Sequence, residues 1–174
     1  LVGSEMCIRD RFPILKKPSH FFATLFGIGL LPIAPGTWGS LFGLILFLYV
    51  GVYLSISQEL FYFSLLFIIS FSFIACYFAT KDLGKNEKYQ KSIVIDELAV
   101  VWIAFIPVSG IVMMRDFLMY SFLAFILFRI FDIWKPYPIN IADKGIKNYF
   151  GVVLDELIAG IYESITVMLI YYLS

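Results

Sequence analysis

Charge is scarce in this chain. Only 15% of its 174 residues are Asp, Glu, Lys or Arg, and thirteen basic residues cancel thirteen acidic ones. Without a basic excess there is no electrostatic footprint for nucleic acid. The two cysteines, Cys7 and Cys76, are too few for a disulfide framework and lack metal-ligand spacing. His20 is the only histidine, which excludes chemistry that passes through a phosphohistidine and a second His. Neither a Cys-x5-Arg nor an Asp-x-Asp nucleophile pattern occurs.

What is abundant is apolar surface. The hydrophobic fraction is 61% and the aromatic fraction 19%. Soluble chains are roughly half apolar and about a quarter charged. The class is integral membrane. A helix needs about 20 apolar residues to cross the hydrocarbon core, and about five stretches come near that length. They run near 38–54, 60–80, 93–114, 117–134 and 152–173, with Pro107 and Gly110 placed to kink or end the third. The apolar run 21–31 is too short to span and reads as an interfacial or re-entrant element. The expectation is an all-α polytopic bundle.

Residues 1–11 lack the apolar core of a signal peptide. Their string resembles a translated sequencing adaptor, so Leu1 to Arg11 read as a non-native extension and 12–174 as one membrane domain. Finding these codons upstream of Phe12 in the native locus would overturn that reading.

Orientation follows from the placement of Lys and Arg. Lys16, Lys17, Lys81, Lys85, Lys88, Lys91, Lys135, Lys144 and Lys147 fall on one side of the spans, and only Arg115 on the other. The N-terminus and the long loops are therefore expected in the cytoplasm, with the C-terminus outside.

The few charges gather at that same side. Ile93-Val94-Ile95-Asp96-Glu97-Leu98-Ala99 and Val152-Val153-Leu154-Asp155-Glu156-Leu157-Ile158 share one pattern, and each opens a span. Carboxylates at a helix start complement its dipole. Three apolar residues outside each pair, however, sink it below the surface, where ionised groups are functional or paired. Hard oxygen ligands suit Mg2+. Adjacent helical residues diverge, so one acid of each pair can face a metal while its neighbour holds a supporting partner.

Arg129, Asp132 and Lys135 recur every three residues at the end of the fourth span, on one helical face. They form either a self-neutralising ion-pair ladder with Lys135 snorkelling, or a phosphate clamp. A guanidinium matches phosphate oxygens through two parallel hydrogen bonds. In Leu31-Pro32-Ile33-Ala34-Pro35-Gly36-Thr37-Trp38-Gly39-Ser40, Thr37 is the expected N-cap after a Pro/Gly break. The backbone N–H groups around Gly36 and Thr37 also suit an anion. Lys81 and Asp82 are the members of the loop 81–91 nearest a span, and hence its candidate contributors to a site.

Taken together, Leu31-Pro32-x-x-Pro35-Gly36-Thr37-x-Gly39-Ser40, Thr80-Lys81-Asp82-Leu83-Gly84, Ile95-Asp96-Glu97, Phe128-Arg129-Ile130-x-Asp132-Ile133-Trp134-Lys135-Pro136 and Gly151-Val152-x-Leu154-Asp155-Glu156-x-x-Ala159-Gly160 strongly resemble the bacterial phosphatidylglycerophosphatase A family. The blocks keep the family's order and spacing over about Ser19 to Glu163. The resemblance implies Mg2+-dependent removal of the terminal phosphate from phosphatidylglycerophosphate at the cytoplasmic face of the bacterial inner membrane, yielding phosphatidylglycerol. Departures are Leu31 for a frequent Ser, Ile95 for a Trp, Val100 for a Gly, Glu156 for an Asp, and Asn148-Tyr149 for a Gly-rich stretch. No acid expected at the metal is lost.

The sequence thus points to a membrane phosphomonoesterase. Asp96, Glu97, Asp132, Asp155 and Glu156 are the candidate catalytic and metal-ligating residues, with Mg2+ as cofactor. Arg129, Lys135, Thr37, Gly36, Lys81 and Asp82 are the candidate substrate contacts. The competing class is a small ion-coupled transporter, since intramembrane acids also mark ion paths. A carrier places such groups near the midplane, where only Glu163 qualifies here.

Overall fold

A computed structural model describes residues 14–81, 92–137 and 149–173, the last segment by backbone alone over 149–155. The described elements are α1 (Pro18–Ala23), a 3-10 turn (Ile28–Leu30), α2 (Pro35–Tyr53), α3 (Gln58–Lys81), α4 (Ile95–Ala104), α5 (Met114–Trp134) and α6 (Tyr149–Leu173). No strand occurs among them. The short apolar run before the first span becomes α1 and the 3-10 turn, as its length requires.

Helices α2, α3, α5 and the Glu156–Leu173 part of α6 are long and apolar enough to cross a membrane. Their outward faces carry Phe63, Leu66, Phe67, Ile126 and Leu169, all more than half exposed. Such a continuous apolar belt fits lipid and not water. This is a membrane protein.

The third expected span is different. Instead of a full crossing, 93–114 forms the ten-residue α4 followed by turns through 105–110. Pro107 cannot donate to a continuing helix, and Gly110 approaches the Gln58 side chain so closely that a Cβ would meet it. Hydropathy alone could not separate a half-length helix from a span, because α4 is apolar on every side. All its residues except Glu97 are buried.

That burial makes α4 the axle of the bundle, packed against α2, α3, α5 and α6. Its start is tied to α3 by Ser72 Oγ, which donates to the Ile95 carbonyl at 3.1 Å. Ser72 lies nine residues before the end of α3, so α4 begins about 13 Å below that end at 1.5 Å per residue. Its far end is locked by rings from four helices. Phe47 stacks on Phe105 at 4.2 Å and on Phe117 at 5.4 Å, and Phe61 stacks on Trp102 at 5.6 Å.

Against α6 the fit depends on Gly160, where a Cβ would lie 2.8 Å from Val100 Cγ1 and 3.0 Å from the Val100 carbonyl oxygen. The bulk of Val100 is thus matched by the missing side chain opposite it, the close approach that small residues allow between membrane helices.

Candidate active site

Three helices bring their charged or hydroxyl-bearing residues to one end of this bundle. On α2, Pro35 occupies the first turn and Ala34 is the N-cap, in the left-handed region at φ 47°. Thr37 is therefore inside the helix and not its cap, contrary to the sequence expectation. Pro35 has its φ pre-set for a helix start, and the Thr37 hydroxyl is engaged elsewhere. Gly36, Thr37 and Ser40 share the face that meets α4 and α5. On α5, Arg129 and Asp132 stack one turn apart. The helix then ends at Trp134, with Lys135 as C-cap at φ 45° and Pro136 barring continuation. Two non-glycine residues in left-handed conformation thus flank the site, a kind of local strain that concentrates at functional centres.

The Arg129 guanidinium is the hub. Its NH1 forms an ion pair with Asp132 Oδ2 at 2.7 Å and donates to Glu97 Oε2 and to Ser40 Oγ, each at 3.3 Å. NH2 donates to Thr37 Oγ1 at 3.0 Å. The side chains of Arg129, Glu97 and Asp132 are only 16%, 15% and 13% exposed. Charges this enclosed require partners, and here each finds one on another element or another turn.

Ser40 completes the constellation. Its hydroxyl lies 2.7 Å from Glu97 Oε2 and 2.9 Å from the Gly36 carbonyl oxygen. A hydroxyl has one proton, so it donates to one of these at a time. Sequence reasoning quoted Ser40 within a motif but gave it no role. The available signal was its place one turn after Gly36 and Thr37 on the same face. Gly36 touches Glu97 directly, since a Cβ there would overlap the carboxylate oxygens. Trp38 steadies the approach to α2 by donating from Nε1 to the Ile33 carbonyl at 3.1 Å.

Of the two expected acidic pairs, the structure separates the members of the first. Glu97 enters the cluster. Asp96 is buried with Oδ1 against the Glu97 N–H at 3.2 Å, within electrostatic reach of Cys76 on α3. Glu156 is half-buried on α6. The Asp155 side chain lies outside the described residues, as does Asp82. Lys81 sits exposed at the end of α3. Lys135 lies near enough for its charge to act on Glu97. His20 is buried on α1, where its Nδ1 accepts the Ile14 N–H at 3.1 Å.

Among the described residues no three His, Cys, Asp or Glu side chains converge as a metal-binding group. The five-carboxylate site expected from sequence is therefore not gathered by the described side chains. Glu97 and Asp132 do converge, on the cationic NH1 of Arg129. Their donors are all oxygen, and Mg2+ is commonly held by one or two carboxylates together with substrate phosphate and water. By donor chemistry this pair fits a hard divalent cation.

Comparison with known proteins agrees with the motif pattern. A Haemophilus influenzae protein named phosphatidylglycerophosphatase A is 37% identical over 158 residues, 91% of each chain. One of the same name from Escherichia coli is 32% identical over 150 residues, covering 86% of this chain and 81% of that one. A Bacteroides thetaiotaomicron protein, provisionally named a phosphatidylinositol-3-phosphatase, is 31% identical over 156 residues, 88% and 95% of the two chains. No solved structure matches the chain significantly. The family model for phosphatidylglycerophosphatase A matches residues 21–171, and the chain, a phosphatase by that kinship, belongs to this family.

Proposed function

We propose that this protein hydrolyses the phosphate monoester of phosphatidylglycerophosphate to phosphatidylglycerol and inorganic phosphate, with Mg2+ as cofactor. The observation that carries the reading is Arg129, an enclosed guanidinium supported by Thr37, Ser40, Glu97 and Asp132 at one end of a membrane bundle. In phosphoryl transfer there is little covalent work for the protein, so positioning and charge stabilisation supply most of the acceleration.

In this account the phosphate docks on the Arg129 guanidinium, with Lys135 adding positive charge from the end of α5. Thr37 holds NH2 and anchors that corner of the fork. Gly36 leaves room for the Glu97 carboxylate beside the reacting phosphate. A water attacks phosphorus, the bond to the glycerol oxygen breaks, and the leaving oxygen ends as a hydroxyl. Glu97 or Asp132 takes the water's proton and returns it to that leaving oxygen. Asp155 serves as a further ligand, and Asp96 and Glu156 as groups that orient the ligands. Bound Mg2+, held by Glu97 and Asp132 with Asp155, would neutralise a phosphoryl oxygen and acidify the water.

The site faces the cytoplasm of a bacterial inner membrane in this reading. The count of Lys and Arg supports it, together with Thr37, Glu97 and Arg129 sharing the end of the bundle that carries Lys16, Lys17, Lys81 and Lys135. The carrier reading draws on one feature, the fully buried Glu163 within α6. Phosphate release from phosphatidylglycerophosphate by purified protein in detergent, with and without Mg2+, separates the two. Release supports the phosphatase, and its absence under all divalent cations overturns it.

A further inference from the structure

Glu97 and Asp132 already hold a cation, and that cation is Arg129. NH1 lies 2.7 Å from Asp132 Oδ2, 3.3 Å from Glu97 Oε2 and 3.3 Å from Ser40 Oγ, three oxygens from three helices around one positive nitrogen. A divalent ion bound through the same two carboxylates would share this small, poorly hydrated space with the guanidinium. Like charges repel strongly where water is scarce. Both cannot keep these partners.

Resting on the phosphatase reading above, we infer that Arg129 is an exchangeable stand-in for the divalent cation, displaced from Glu97 and Asp132 when the metal binds and handed to the substrate phosphate. Two details make the exchange low in cost. The Thr37 hydroxyl holds NH2 at 3.0 Å, so it can serve as a pivot while NH1 swings away. Ser40 has the Gly36 carbonyl at 2.9 Å as a second acceptor, so it can release Glu97 and still donate.

The consequence is thermodynamic. Metal alone must displace an ion pair and leave a buried guanidinium with lost partners. Phosphate alone must compete with two carboxylates for NH1. Together each relieves the other, because phosphate receives the guanidinium that the metal releases. Cation and phosphate therefore bind with positive coupling, and coupling free energies of this type are reciprocal, on the order of 5- to 150-fold.

The test uses the purified full chain in detergent, with Mn2+ as the probe cation, free Mn2+ counted by electron paramagnetic resonance, and inorganic phosphate as the anion. Protein-free titrations correct for Mn2+–phosphate association. In the wild type, phosphate is expected to tighten Mn2+ binding by about fivefold or more. Arg129→Gln is expected to bind Mn2+ about tenfold more tightly than wild type without phosphate, and to lose the phosphate effect. The double variant Arg129→Gln, Glu97→Gln is expected to lose the gained affinity. The inference is overturned by a wild type whose Mn2+ binding ignores phosphate, by Arg129→Gln binding Mn2+ no more tightly than wild type, or by a double variant that keeps the gain. Because the wild-type measurement stands alone, misfolding of a variant does not remove the test. Hydrolysis assayed on the same wild-type preparation separates the two claims. Coupling without hydrolysis overturns only the enzymatic reading, and hydrolysis without coupling overturns only this inference.

Discussion

Gly36 on α2 and Glu97 on α4 are in direct contact, and the contact exists because Gly36 has no side chain. A Cβ at that position would overlap the carboxylate oxygens. The glycine in the Pro-Gly-Thr block is thus fixed by a residue 61 positions away, and by space more than by a turn, since Gly36 lies inside the first turn of α2.

Gly36→Ala is accordingly expected to push Glu97 off Arg129 and Ser40 while α2 still forms, because alanine favours helix. The protein should insert and purify normally but lose at least about tenfold in kcat/KM, roughly 1.4 kcal/mol of transition-state stabilisation. Wild-type kinetics in a well-folded Gly36→Ala protein would place Glu97 outside the reaction.

Arg129→Lys keeps the charge and loses the fork. A lysine can still meet Asp132, but it cannot at once hold Thr37 through one nitrogen and present a second edge to phosphate. The expected loss in kcat/KM again exceeds about tenfold at saturating Mg2+, with the larger part in kcat. A smaller loss would reduce Arg129 to a structural ion pair.

Glu163 tests the interior. Both of its carboxylate oxygens are buried without a hydrogen-bond partner among the described residues, and the residue is 0% exposed. Burying a polar group without a partner is costly, so Glu163→Met should raise the unfolding midpoint in detergent, corresponding to about 1–3 kcal/mol. Phosphate release should persist. A lowered midpoint together with lost activity would show that Glu163 has work in the bundle that this account omits.

Much of this was legible in the chain, and the failures are instructive. The spacing of Arg129, Asp132 and Lys135 placed them on one face, and Pro136 marked the end of their helix, because both signals are local. Pro107 and Gly110 mark where the third apolar run breaks, but not that its helix is only ten residues long, since an apolar run carries the same hydropathy whether it crosses a bilayer or stops halfway. Thr37 was expected as a cap because its residue type favours that role. The structure gives the start to Ala34 and Pro35 and turns Thr37 toward Arg129. Which of Asp96 and Glu97 would face the cluster was not readable, because it depends on how α4 rotates against α2. The role of Ser40 depends on Glu97, 57 residues distant, and no local pattern encodes that.

Topology gives an independent check on where the site faces. A cysteine replacing Gln58, at the start of α3 opposite the Arg129 end, should react with an impermeant thiol reagent in intact cells. One replacing Lys85 or Lys144 should be shielded until the membrane is opened. The reverse pattern would put Arg129 and its partners on the outer side.

The central claim is that the cluster around Arg129 removes a phosphate monoester from a phospholipid with the help of a divalent cation. Its most direct test is the release of inorganic phosphate from phosphatidylglycerophosphate by the purified protein, followed with Mg2+, with chelator, and after Mg2+ is restored. The account predicts release with Mg2+ and equal formation of phosphatidylglycerol, none with chelator, and recovery on restoration. Release that ignores the chelator would contradict the metal assignment, and no release with any divalent cation would contradict the phosphatase assignment itself.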